Sequence, residues 1–232
     1  MKHTLNSSNF EIIVNPIGAY IESLRYNYQN IFYPKNQLEI NGVKKDRGGS
    51  HICLPLFGPN DIYGLNRHGF GRELKWTIEE HGEQHLRYTL TPDHEDFKDV
   101  RFNLEYRIID NKFISVLTAN NYSDKDVKIS PAFHPYFAFK EFDELKIDGE
   151  KIKYTKKELA DTVQYEEVKS FETEEFKINF SQLHLSKYAI WTDLEDKYIC
   201  LEPTYNLVSK DYFVLKPGTE EKFYYKIEVN EK

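Results

Sequence analysis

From Phe102 to Ala119 the chain alternates apolar and polar residues with a period of two. Phe102, Leu104, Tyr106 and Ile108 alternate with Asn103, Glu105 and Arg107. A turn signal follows at Asp110-Asn111, and then a second apolar run from Phe113 to Ala119. Successive side chains of a strand point to opposite faces, so this spacing puts four large apolar groups on one face and polar groups on the other. The segment therefore predicts a β-hairpin with one face buried. The C-terminus repeats the pattern. Phe223, Tyr225, Ile227 and Val229 share one face, Lys222, Lys226 and Glu228 the other, after a turn at Pro217-Gly218.

Shorter runs of the same kind lie near residues 9–14, 19–26, 30–34, 85–91, 127–139, 187–192 and 197–202. Helical periodicity is confined to one short candidate, Lys156–Val163. Many short strands separated by turn signals predict an all-β fold, a large antiparallel β-sandwich. The 17 Tyr and 16 Phe suit it, because aromatic side chains fill a half-buried pleated surface. No linker, low-complexity tract or internal repeat divides the chain, so residues 1–232 are expected to form a single domain.

The formal net charge of −7 argues against nucleic acid as a partner, since phosphate-backbone binding runs on clustered Lys and Arg. No stretch approaches the roughly 20 apolar residues of a membrane span. The N-terminus has no apolar run of signal-peptide type, so a cytoplasmic location is expected. The only cysteines, Cys53 and Cys200, make no disulfide framework and are expected to be buried, reduced thiols.

Two stretches interrupt the strand pattern. Arg47–Trp76 holds six glycines and two prolines around polar and aromatic residues. A long irregular segment in a compact β protein is usually functional or disordered, and its aromatic content speaks against disorder. The other is Ser130–Phe139, where His134 sits among Phe133, Pro135, Tyr136 and Phe137. Taken on composition, His134 is either a core histidine bonded to a backbone carbonyl or an acid/base group tuned by desolvation. Glu202 ends an apolar run before Pro203 and is either a solvent-facing strand end or a partnered buried carboxylate. His68 and Arg72 frame a Gly-Phe-Gly turn, and Arg47 precedes Gly48-Gly49. Glycine lets backbone approach a ligand closely, and arginine offers a planar fork of donors to hydroxyls or phosphate. His51, His68 and His134 all fall in these stretches, but no pair has HxH or HxxxH spacing and the cysteines are far apart. Neither a bound metal nor a cofactor is expected.

As an ordered set these motifs resemble the aldose 1-epimerase (galactose mutarotase-like) superfamily. Arg47-Gly48-Gly49 precedes Leu54-Pro55-Leu56-Phe57-Gly58. Then come His68-Gly69-Phe70-Gly71-Arg72 with Trp76, and His134-Pro135-Tyr136-Phe137. Trp191 precedes Cys200-Leu201-Glu202-Pro203, and Leu215-Lys216-Pro217-Gly218 opens the last strand. The resemblance implies a supersandwich of two large antiparallel sheets with a sugar cleft on one face. It also implies a cofactor-independent isomerase acting on a small-molecule sugar or sugar phosphate. In that reading Glu202 matches the general base on the anomeric hydroxyl and His134 the general acid on the ring oxygen. His68 matches a histidine that orients the sugar. Arg47 and Arg72 match arginines of the branch that includes hexose-6-phosphate mutarotases, and Asp193 is a candidate for a hydroxyl-binding aspartate. Ser50-His51 depart from the Ile-Pro pair usual after Gly49, and Gly71 replaces a more common alanine. A non-catalytic carbohydrate-binding or regulatory protein on the same fold is the main alternative. A glycosidase would need two suitably spaced carboxylates, and only Glu202 stands out.

Overall fold

The structure is a computed structural model that describes residues 1–206 and 211–232. Its strands form two nine-stranded sheets, antiparallel throughout. In the first sheet the path runs His3–Asn6, Phe10–Asn15, Tyr20–Tyr26, Ser50–Cys53, Ala132–Ala138, Tyr198–Thr204, Lys187–Trp191, Val163–Tyr165. The second runs from Glu150–Lys151 through Phe176–Leu183, Glu220–Glu231, Lys112–Asn121 and Val100–Ile109 to Thr77–His81. The expected antiparallel β-sandwich is the architecture found.

The predicted hairpin is the centre of the second sheet. Val100–Ile109 pairs with Lys112–Asn121, which pairs in turn with the C-terminal strand Glu220–Glu231. Phe102, Leu104, Tyr106, Ile108, Phe223, Tyr225, Ile227 and Val229 are all buried. They meet Ile12, Val14, Leu24, Ile52, Phe133, Phe137, Ile199 and Leu201 of the first sheet in one continuous apolar core. At roughly 25 cal/mol per Å² of apolar area, this inter-sheet layer is the main source of folding free energy.

Other expectations need adjustment. The run near 127–139 is two strands. Val127–Ile129 pairs with Phe213–Leu215 in a separate ribbon, and only Ala132–Ala138, beyond Pro131, joins the first sheet. Ser130 and Pro131 separate the two strands. The helix ends three residues earlier than expected, at Lys156–Ala160, started by a Thr155–Glu158 capping box and followed by Thr162 at φ +72°. Several strands lie outside the expected runs, among them His3–Asn6, the hairpin Asn36–Ile40 with Val43–Arg47, Ser50–Cys53, Thr77–His81 and Phe176–Leu183. The hairpin is almost wholly exposed, so hydrophobic periodicity had no reason to mark it. No helix among the described residues is long and apolar enough to cross a membrane.

Candidate active site

The three central strands of the first sheet, Ser50–Cys53, Ala132–Ala138 and Tyr198–Thr204, are buried on both faces. One face is core. The other carries His51, His134, Tyr136, Cys200 and Glu202. Register sets them in a rank. His51 pairs with His134, and the pairings Ala132 with Thr204 and Tyr136 with Cys200 put His134 opposite Glu202. His134 and Glu202, far apart in sequence, thus become direct cross-strand neighbours. Such neighbours have Cβ atoms about 4.5–5.5 Å apart.

His134, Tyr136 and Glu202 of this rank floor a cleft of about 540 Å³, within the roughly 300–1,000 Å³ of small-molecule sites, and His51 and Cys200 lie beside them. Arg47, His68, Arg72, His134 and Glu202 all line it, as do Arg67, Tyr136, Gln164 and Trp191. The irregular segment after Cys53 forms one wall. His68 has left-handed φ of +67°, and Gly69 follows at the same φ. A Cβ on Gly69 would sit 2.2 Å from the Leu54 carbonyl oxygen, so only glycine fits the turn. The opposite wall is the end of the short helix. Asp161 and Thr162 line the cleft, and the Trp191 indole N–H donates to the Ala160 carbonyl over 3.1 Å.

Nε2 of His134 lies 3.4 Å from Oε2 of Glu202, and the two residues are 7% and 2% exposed. Burial pushes the Glu202 carboxyl well above the usual range, opposed only by the charge of Arg67. Burial holds His134 well below an ordinary imidazole, and His68, Arg72 and Arg47 push the same way. Burial thus disfavours the charged form of both groups. His68 is lowered to about 3 by burial and by Arg72 and Arg67. The Gly58 N–H donates to His68 Nδ1 over 3.2 Å. On the other side of the ring the Arg67 Nε–H is directed at His68 Nε2 over 3.3 Å.

Arg47 and Asp193 are brought together, but Asp193 is not among the residues lining the cleft. Nε and Nη2 of Arg47 each lie 2.8 Å from Asp193 Oδ2, and Nη1 donates to the Asp46 carbonyl. The Tyr198 hydroxyl takes the other carboxylate oxygen. Asp193 is thus placed to hold Arg47 against Trp191, whose ring lies 5.3 Å from the guanidinium carbon. Arg67 and Arg72 have no carboxylate within 4.0 Å among the described residues; Arg72 donates to the Arg67 carbonyl.

Two neighbours of this pair escaped sequence reasoning. His51 is buried and stacks on His134 at 4.6 Å, between Tyr20 at 5.3 Å and His134, which in turn stacks on Tyr136 at 4.9 Å. The column of four rings fixes the plane of the His134 imidazole. Its signal was the histidine standing in place of the usual Ile-Pro pair. The other is Cys200, two residues before Glu202 and on the same strand face, 0% exposed. Both cysteines are free and buried, as expected.

A two-sheet antiparallel fold with a His–Glu pair on the floor of a cation-rimmed cleft defines a class of β-sandwich with a polar cleft on one sheet. The aldose 1-epimerase family model matches residues 1–204, and the chain belongs to that family. A stretch of 43 residues is 51% identical to a protein of Escherichia coli K12 named "Putative glucose-6-phosphate 1-epimerase". That stretch is 18% of this chain and 14% of the relative's length. The fold is shared with the Slr1438 protein of Synechocystis sp. PCC 6803 at a TM-score of 0.84 and 18% identity, over 100% of this chain and 96% of that one. It is shared too with a galactose mutarotase related enzyme of Lactobacillus acidophilus at 0.79 and 17% identity, over 99% of this chain and 97% of that one.

Proposed function

We propose that the protein is a mutarotase that interconverts the α and β anomers of an aldohexose, with a hexose 6-phosphate as the preferred form. The observation that carries the reading is the buried His134–Glu202 pair at 3.4 Å on the cleft floor. Opening a hemiacetal ring removes a proton from the C1 hydroxyl and delivers one to the ring oxygen. Glu202 as carboxylate takes the first, and His134 as imidazolium gives the second. The open-chain aldehyde then exists with Glu202 protonated and His134 neutral. Rotation about C1–C2 exposes the other carbonyl face. Ring closure returns a proton from Glu202 to the C1 oxygen and one from the ring oxygen to His134. No electrons are exchanged.

The neutral pair favoured by burial carries the same single proton as the ion pair that opens the ring. The two are tautomers, and each occurs once per turnover. Activity then requires that the pair hold one proton. A second proton at low pH, or its loss at high pH, stops turnover, and the resulting bell belongs to the pair.

Arg67 and Arg72 support a phosphate at the rim. They line the cleft without a carboxylate partner among the described residues, whereas Arg47 is engaged by Asp193. Arginine binds phosphate through paired N–H donors. The test is a panel of pure anomers, free and 6-phosphorylated, followed by NMR exchange with Arg72→Ala beside the unmodified protein. Faster anomer exchange is expected with the protein added, and Arg72→Ala is expected to hurt the phosphorylated sugar far more than the free one. Equal losses on both would remove the phosphate, and no acceleration of any anomer would remove the mutarotase.

A further inference from the structure

We infer that the cleft floor also captures thiophilic divalent metal ions, zinc in particular, through Cys200, His134 and Glu202, and that capture arrests turnover. The inhibitory half rests on the mutarotase reading above; the metal site stands on its own geometry.

One ligating atom from each of the three residues lies within 4.8 Å of the others. The set mixes thiol, imidazole and carboxylate, the donors that zinc takes. Zinc bonds of about 2.0–2.1 Å to nitrogen and oxygen, at tetrahedral angles, hold those two atoms about 3.3 Å apart. Nε2 of His134 and Oε2 of Glu202 are already 3.4 Å apart. The sulfur needs a position about 3.6 Å from each on the same geometry. From within 4.8 Å, a movement of at most about 1.2 Å completes three sites of a tetrahedron. The fourth faces the cleft that His134 and Glu202 line, where water or a sugar hydroxyl has access.

Two further observations favour occupancy. Oε2 of Glu202 is buried and has no hydrogen-bond partner within the chain. Unpaired buried acceptors are costly, and a cation there offsets that cost. Charge also balances. Binding displaces the thiol proton of Cys200 and the one proton held by the pair, both to solvent. Zn²⁺ with a thiolate, a carboxylate and a neutral imidazole is then a neutral centre, which suits an interior site. The same bonds occupy the lone pairs that must accept protons from the sugar, so a bound metal and ring opening exclude one another. Cys53 is buried and free but is no part of this grouping, which makes it the internal control.

The experiment titrates chelator-treated protein with Cd²⁺ and reads the thiolate-to-cadmium charge-transfer absorption in the ultraviolet. Turnover is measured in parallel with Zn²⁺, each variant against its own metal-free rate. One equivalent of Cd²⁺ is expected to saturate the band in the unmodified protein and in Cys53→Ser, and to give none in Cys200→Ser. One bound equivalent of Zn²⁺ is expected to lower turnover at least tenfold, reversed by EDTA, with at least tenfold weaker sensitivity in Cys200→Ser. Should Cys200→Ser fail to fold, retention of the band in Cys53→Ser still assigns the thiolate to Cys200. No band, or a band that survives in Cys200→Ser, overturns the metal site and leaves the His134–Glu202 reading untouched. A saturated band with turnover unchanged overturns the inhibition, and with it the assignment of the pair to proton transfer.

Discussion

The hairpin Val100–Asn121 and the strand pair Ala132–Ala138 with Tyr198–Thr204 are both antiparallel, yet they spend their outward faces differently. In the hairpin, inward Phe102, Leu104, Tyr106 and Ile108 are buried while Asn103 and Glu105 are partly exposed and Arg107 is exposed. In the central pair the outward residues are buried too, covered by Tyr33, Leu38 and Trp191 over Tyr136, Tyr198 and Cys200 and by His68 beside His134. A strand with one wet face stabilises the fold and does little else. A strand buried on both faces can hold polar groups out of water, where proton affinities move furthest. Outward positions of the two regions should therefore fail differently when changed.

The largest contrast is in turnover. His134→Asn removes an outward residue of the central pair, and kcat is expected to fall about 10²–10⁴-fold with the melting temperature little changed. Steady-state anomer exchange with thermal melts alongside measures both. The inward face of the hairpin should behave in reverse. Leu104→Ala is expected to cost about 2–5 kcal/mol in denaturant unfolding, while the folded fraction keeps its kcat. Gly69→Ala should cost about 1–3 kcal/mol through its left-handed φ, and raise KM by displacing His68.

Acid separates the regions again. His68, lowered from 6.5 to about 3, is neutral in the fold and protonates readily once unfolded. Its contribution is present above pH 6.5 and is lost as pH falls towards about 3. His51 and His134 act in the same direction. Melting temperature should decline across that window, and less steeply in His68→Gln. A decline of equal slope would place the acid sensitivity elsewhere. The smallest effect belongs to the wet face. Arg107→Gln, about half exposed beside Glu105, should change stability by no more than about 0.5 kcal/mol and leave kcat alone.

The same contrast explains what was legible in the sequence. The hairpin and the C-terminal strand announced themselves, because one wet face produces alternation. Ser50–Cys53 did not, since all four of its residues are buried and it reads as part of a glycine-rich irregular stretch. His134 and Glu202 stood out by their apolar neighbours and by family motifs, but their adjacency is a matter of register. Without alternation in either strand, no local pattern could supply it. The proximity of Cys200 was hidden likewise, because metal-ligand spacing rules look along the chain and this grouping forms across strands. Arg47 and Arg72 both line the cleft, and what the sequence did not show is how their neighbours are placed. Asp193 holds Arg47, and Arg67 stands with Arg72.

The central claim is that Glu202 and His134 share one proton and move it to and from a sugar ring. Glu202→Gln tests it most directly, since the amide keeps shape and hydrogen bonding but accepts no proton. Anomer exchange by NMR should slow about 10²–10⁴-fold while ligand-observed NMR still registers sugar binding. Combining it with His134→Asn should be little worse than the poorer single variant, because the two act as a unit. Near-normal exchange in Glu202→Gln would contradict the account.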